Sequence, residues 1–184
     1  MLGTVLLFSG AVVTAVAVWL LKLLNELVRL SVRTKSSWSD VDVQLKQRHD
    51  LILNLVEVVK GYSAHERNTF EGVAKLRSAA ASAASFEERQ QAENKLSGGL
   101  WKALAVAESY PQLRASENFQ SLQSRLSIIE SGIESARRNY NAQVLPYNTR
   151  IQSFPANIVA SSWGFPEKPF FEFREEREQV QVKF

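Results

Sequence analysis

The stretch WSDVDVQLKQRHDLILNLVEVV, Trp38 to Val59, decides the fold. Its apolar positions Trp38, Val41, Leu45, Ile52, Leu55 and Val59 step by threes, fours and sevens, the period of an amphipathic helix. The stripe continues through Tyr62, Val73 and Leu76 and is widened by Val56 and Phe70. It predicts one long helix over about 38–77, roughly 60 Å if unbroken. Arg48, Glu66 and Thr69 interrupt the stripe, and Gly61 is a soft spot costing about 1 kcal/mol relative to alanine. Arg48 occupies a core-facing heptad position. Either its stem snorkels along the helix, or its guanidinium pairs with a carboxylate of a neighbouring helix and sets register.

N-terminal to this stretch, Met1 to Leu21 reads MLGTVLLFSGAVVTAVAVWLL and carries no charged side chain. At 1.5 Å per residue it covers roughly 31 Å, enough for a hydrocarbon core of about 30 Å. A soluble helix would show a polar face, and this one shows none. A signal peptide would open with a basic region, which is lacking; Ala15 and Ala17 form a weak A-x-A site, but the apolar run continues past it to Leu24. Residues 1–24 are therefore expected to be a retained transmembrane anchor. Gly3, Gly10 and Ala17 recur every seven residues with Thr14 beside them, a small-residue stripe that permits close helix approach in lipid and self-association.

The formal net charge of +3 is not spread over the chain. Lys22, Arg29, Arg33 and Lys35 face only Glu26 within residues 22–36, and the remaining 148 residues hold 18 basic and 18 acidic side chains. The basic excess is a juxtamembrane collar over 25–37 and its edge, suited to anionic lipid, and no nucleic-acid patch remains. Positive-inside reasoning puts the short N-terminus outside and the long C-terminal part in the cytoplasm.

Downstream, SAAASAAS (Ser78–Ser85) is a small-residue connector, and Ser85-x-x-Glu88 forms a capping box for a second helix. That helix carries Ala92, Leu96, Leu100, Leu104 and Ala107, contains Gly98-Gly99, and stops before Pro111. The glycine pair is read as close packing against a neighbouring helix. A third helix starts near Ser116 with the stripe Phe119, Leu122, Leu126, Ile129, Ile133, Ala136, Tyr140, Val144, Tyr147, Ile151 and Phe154. Tyr140-Asn141 and Tyr147-Asn148 repeat at seven residues, and Pro146 should kink the helix. Phe154-Pro155 ends it. Residues 38–160 thus form an antiparallel long-helix bundle, and 161–184 a C-terminal segment. That segment crowds Trp163, Phe165, Phe170, Phe171 and Phe173 among Gly164, Pro166 and Pro169, then runs through EFREERE (Glu172–Glu178) to QVQVKF. With three helices alternating in direction, the aromatic segment is expected at the end remote from the membrane.

Catalytic and metal chemistry finds little support. There is no cysteine, so disulfides and thiolate sites are excluded. His65-Glu66 opens like H-E-x-x-H, but Thr69 stands where the second histidine is needed. His49 and His65 would lie about 24 Å and 160° apart on one helix, and each is read as a surface or edge histidine. Asp40 and Asp42 suit a first helical turn and make only a weak half-site for a cation. Glu134 and Arg138 form an i, i+4 pair, and Glu130 and Glu134 are a like-charge i, i+4 pair, one of whose carboxylates either answers a basic residue on another helix or is solvated. No phosphate loop, nucleophile elbow or dinucleotide fingerprint occurs. No enzyme, cofactor or metal site is expected.

Several ordered motifs resemble the LemA family. They are VDVQLKQRHDLILNLVEVVKGYSAHERNTFEGVAKLR (Val41–Arg77), AENKLSGGLWKALAVAESYPQLRASENFQSLQSRL (Ala92–Leu126), RRNYNAQVLPYNTRIQSFPANIVASSWGF (Arg137–Phe165) and FFEFREE (Phe170–Glu176). The resemblance covers about residues 36 to 184. Its signature helix maps onto Asp42, Gln44, Leu45, Arg48, Asp50, Leu51, Asn54, Leu55 and Glu57, while Leu53 replaces a usual proline, so the helix should be straighter there. The resemblance implies an all-α protein of the bacterial inner membrane, with one N-terminal membrane helix and a cytoplasmic bundle, and no catalytic residues to carry over. Two functions are weighed. One is a membrane scaffold that self-associates through the anchor stripe and organises or shapes membrane. The other is an adaptor for a second membrane protein, working through the aromatic segment and a strand-like tail from Gln179. In the second case the alternative is that the aromatics merely cap the bundle end.

Overall fold

The computed structural model describes residues 2–60 and 67–172, and the regular structure among them is entirely helical. The helices are α1 (Leu2–Lys60), α2 (Arg67–Ala81), α3 (Phe86–Glu108), α4 (Pro111–Arg114), α5 (Glu117–Gln152) and α6 (Ala156–Trp163). The expected all-α class, an apolar N-terminal helix followed by a helical bundle, is the class found. α1 runs without interruption through Lys22–Ser37, where neither Pro nor Gly intervenes, and past Leu53. Asp40 and Asp42 therefore lie mid-helix, and the first-turn dipole reading does not apply to them.

Contacts divide the chain into two compact units, Val32–Tyr140 and Met1–Ser31 with Asn141–Phe184. In the first, the single helix expected over 38–77 is instead a hairpin. The Arg77 Nε–H donates to the His49 carbonyl at 3.0 Å. Twenty-eight residues of straight helix would hold these groups about 42 Å apart. α2 therefore returns along α1. Gly61, Tyr62, His65 and Glu66 lie outside the described residues. α3 runs parallel to α1, with Trp38 beside Phe86 and Asp42 beside Arg89. α5 runs antiparallel to it, with Gln44 against Gly132 and Trp38 against Tyr140. The unit is an up-down-up-down four-helix arrangement, and its core joins Ile52, Leu55 and Val59 to Phe70, Leu96, Leu100, Phe119 and Leu126.

Local chemistry places the connections. Ser85 caps α3, its hydroxyl accepting from the Glu88 N–H at 3.1 Å while the Glu88 carboxylate accepts from the Ser85 N–H. Pro111 ends the run after α3 and sits at the first position of α4, where its missing N–H costs nothing. α5 continues through Pro146.

In the second unit, Leu23 and Leu27 of α1 pack with Tyr147 and Ile151 of α5 and with Ala156, Val159 and Ala160 of α6. Leu20, Leu24, Leu30 and Phe165 pack around this core. The aromatic segment thus returns to the anchor's C-terminal end, where three passes would have carried it away. The extra reversal between α1 and α2 turns an odd number of passes into an even one.

Gly98 and Gly99 have different roles. A Cβ on Gly99 would lie 2.5 Å from Leu76 Cδ1, so this glycine permits the close approach of α2 and α3; one on Gly98 would meet nothing within 4 Å. Gly98→Ala should stabilise the protein by about 0.5–1 kcal/mol through helix propensity and unfolded-state entropy. Gly99→Ala should gain less, because Leu76 must move. Thermal unfolding followed by helical circular dichroism checks the order; a larger gain at position 99 would contradict the packing.

Candidate functional site

The bundle core holds one cluster of charge. Arg48 on α1 is wholly buried. Its Nη1 donates to Glu130 of α5, at 2.9 Å and 3.2 Å to the two carboxylate oxygens, and to the Ser97 hydroxyl of α3 at 2.6 Å. Its Nη2 pairs with the carboxylate of Glu93 on α3, itself buried. Of the two readings open for Arg48, cross-helix pairing is therefore the one realised, and Glu130 answers a basic residue on another helix. His49, expected at a surface or edge, is at an edge but faces inward. Its Nε2 lies 3.0 Å from Glu93 Oε1, within ion-pair range but off the line of an N–H···O hydrogen bond. Burial alone would raise the Glu93 pKa; contact with His49 and the charges of Arg48 and His49 outweigh it, and the carboxyl is held below its usual range. Arg137 of α5, half-buried beside Asn94, is pushed down by burial and by the Arg48 charge, with Glu93 and Glu130 opposing. Arg48, Glu93, Glu130 and Ser97 pair across three helices inside the bundle, while Arg48 Nε and His49 Nε2 make no hydrogen bond. Their chemistry is that of a register lock.

The remaining signature residues divide by face. Leu45, Leu51 and Leu55 are core. Asp42 accepts from Arg89 at 2.5 Å, and Gln44 lies over Gly132. Asp50, Asn54 and Glu57 are exposed on one outer face of α1, so packing does not account for them. The Glu134–Arg138 pair is formed as expected. Among the described residues, no group of three or more His, Asp or Glu side chains converges to hold a metal ion.

The second unit contains a device that sequence reasoning missed. Asn141 donates its amide N–H to the Phe171 carbonyl at 2.9 Å and accepts from the Phe171 N–H at 2.9 Å. Asn148 does the same at Lys168, at 2.7 Å and 3.0 Å. Tyr147 donates its hydroxyl to the Pro166 carbonyl at 2.8 Å, and burial pushes its pKa up. The spacing explains the fit. Seven helical residues advance about 10.5 Å, and three extended residues about 10 Å. Two asparagines one heptad apart therefore meet two backbone sites three residues apart. The Tyr-Asn repeat was visible, but its partner is irregular backbone without periodicity. Phe165 packs and Phe171 is buried, as a bundle-end cap requires, while Trp163 and Phe170 remain exposed. Phe173 and the tail from Gln179 lie outside the described residues.

The anchor residues Gly3, Gly10, Thr14 and Ala17 are all exposed, as are the collar residues Lys22, Arg29, Arg33 and Lys35. α1 contains an uncharged window long and apolar enough to cross a membrane, with none of that window buried. An apolar, unburied N-terminal helix joined to a charge-locked bundle defines a class, the membrane-associated helical-bundle proteins. Residues 37–184 match the LemA family, and the chain belongs to that family. It is 25% identical to magnetosome protein MamQ 2 of Paramagnetospirillum magneticum, over 87% of this chain and 68% of that protein. It is 24% identical to magnetosome protein MamQ of Magnetospirillum gryphiswaldense, over 80% and 64%. It is 25% identical to protein LemA of Metamycoplasma hominis, over 86% and 72%.

Two expectations follow. Arg48→Met leaves Glu93 buried without its cation and should cost about 3–5 kcal/mol, while Arg48→Met combined with Glu93→Leu should recover most of that. Because the folded Glu93 pKa lies below its ordinary value near 4.5, its contribution is present above that pH and is lost as pH falls below it. Glu93→Gln should therefore flatten the acid loss of thermal stability; an unchanged acid limb would sink the assignment. Separately, Asn141→Ala with Asn148→Ala removes four hydrogen bonds, each worth about 1 kcal/mol net. Chymotryptic cleavage after Phe171, buried in the folded protein, should then accelerate about tenfold or more, and an unchanged rate would mean the segment is held by packing alone.

Proposed function

We propose that the protein is a non-enzymatic, membrane-anchored scaffold that self-associates and organises or shapes the membrane. The observation that carries this reading is the anchor's small-residue face. A Cβ at Gly3 or Gly10 would meet nothing within 4 Å, and the Thr14 hydroxyl is bonded back to the Gly10 carbonyl at 2.9 Å. The face is open and asks for no water. In lipid, where apolar surface gains nothing by leaving a hydrocarbon solvent, such a face favours a second helix at close range. The collar adds attraction to anionic lipid of roughly 1 kcal/mol per basic residue near the surface. Its placement favours the N-terminus outside and the bundle in the cytoplasm of a bacterial cell, at the inner membrane. The names of the magnetosome relatives agree with a role tied to membranes. The pairing of Arg48 with Glu93, Glu130 and Ser97 across three helices supports a structural reading over a catalytic one.

Mass measurement of the protein extracted in native lipid discs tests this. A homo-oligomer that falls apart with Gly10→Leu is expected. A monomer would overturn the scaffold, and a stoichiometric complex with a different membrane protein would favour the adaptor.

A further inference from the structure

We propose that Phe154–Trp163, the turn after α5 together with α6, is a second membrane contact that lies in the lipid interface beside the exit of the anchor. This inference rests on the reading that α1 spans the bilayer.

Three observations carry it. The first is position. Ala156, Val159 and Ala160 form the buried face of α6, and they pack with Leu23 and Leu27, with Leu20 and Leu24 at the edge. α6 therefore grips the last turns of the apolar run. The level is fixed by the half-exposed ion pair in which Arg150 Nη2 donates to Glu26 Oε2 at 2.8 Å. α1 and α5 run in opposite directions, so Gln152, the last residue of α5, reaches the height of Leu24, about 3 Å on. The turn through Phe154 thus begins within one helical turn of Lys22, the first charged residue after the anchor. The bilayer interface adds only about 5–8 Å to each side of the hydrocarbon core, and this height falls within it.

The second observation is exposure. Phe154 is 80% exposed, Ile158 58% and Trp163 55%, on the solvent side of a segment whose other face is closely packed. Trp19, one turn before Lys22 on α1, is also exposed. Aromatic side chains at this height are the usual interfacial anchors of membrane proteins.

The third is polarity. Ile151 to Pro166 contains no charged residue, in a chain where 22% of residues are charged. The serine hydroxyls of this stretch bond back to carbonyls one turn earlier. Ser153 donates to the Thr149 carbonyl at 2.6 Å, and Ser161 and Ser162 donate to the Ile158 carbonyl at 3.0 Å and 2.9 Å. Their hydrogen bonds survive partial withdrawal from water, so insertion carries little desolvation cost.

The Cys-free chain allows a direct test in the full-length protein. Single cysteines at Ile158 and, in a second variant, Trp163 would carry an environment-sensitive fluorophore. The protein would be reconstituted into vesicles of phosphatidylcholine and phosphatidylglycerol. Leu145→Cys, exposed on α5 about 14 Å from Phe154 along the helix, is the water-side control, and Val13→Cys reports the anchor. Shallow nitroxide lipid should quench the labels at 158 and 163 at least about twofold more than the label at 145, with iodide showing the reverse order. Labels at 158 and 163 that behave like the one at 145 would overturn the inference while a lipid-quenched label at 13 leaves the anchor standing. Labels quenched by neither agent would mean that protein covers α6, which also overturns it. A label at 13 untouched by lipid would bring down the anchor reading and this inference together.

Discussion

The Arg48 guanidinium is the constraint around which the four-helix unit is arranged. A buried cation costs several kcal/mol unless its donors are met, and its partners must come from other helices because its own helix has none to offer. Glu93 and Ser97 supply them from α3, and Glu130 supplies them from α5. Apolar stripes alone tolerate sliding of one helix on another by a turn, since leucines meet leucines in either register. A guanidinium that must reach two carboxylates tolerates no such shift. The Trp38, Phe86 and Tyr140 rings, with centroids 5.3–6.1 Å apart, pack in the register that this lock requires.

Much of this was legible because hydrophobic period reports which face of each helix is buried. The stripes of α3 and α5, the capping box at Ser85 and the stop at Pro111 all follow from local chemistry. The interruption of the first stripe at Arg48 points to the right residue, while the like-charge pair Glu130 and Glu134 leaves open which carboxylate reaches another helix. The reversal between α1 and α2 was not legible. Period reports faces and is blind to connectivity. Val59 and Phe70, eleven positions apart, keep helical phase across the turn because both belong to the same core. Gly61 was the one soft signal, too weak by itself to break a helix.

That missed turn had a consequence beyond itself. The number of helical passes sets where the chain's later segments arrive, so an uncounted reversal moves everything after it to the opposite end. The aromatic segment was expected far from the anchor and is found against Leu23 and Leu27. The asparagine clamp shows a related limit. A helical repeat can be seen in a sequence, but an extended segment that matches its spacing in ångströms leaves no periodic trace.

The polar contacts that hold the C-terminal segment differ in kind from those inside the bundle, and the difference follows from what each has to exclude. Val32–Tyr140 is locked by full charges inside a bundle, where ionic partners can be completely enclosed by side chains. In the unit that contains the anchor, the contacts holding the C-terminal segment are neutral. They use amide and phenol groups against backbone, and Ile151–Pro166 carries no charge at all. A carboxylate or ammonium close to hydrocarbon would lose hydration that an incomplete cage cannot replace. An asparagine whose amide both donates to and accepts from one residue loses far less. Neutral clamping of the C-terminal segment and ionic locking in the bundle are thus one rule of polarity applied under two penalties for charge, and the Arg150–Glu26 ion pair of the anchor's unit keeps to it by staying part-exposed to water.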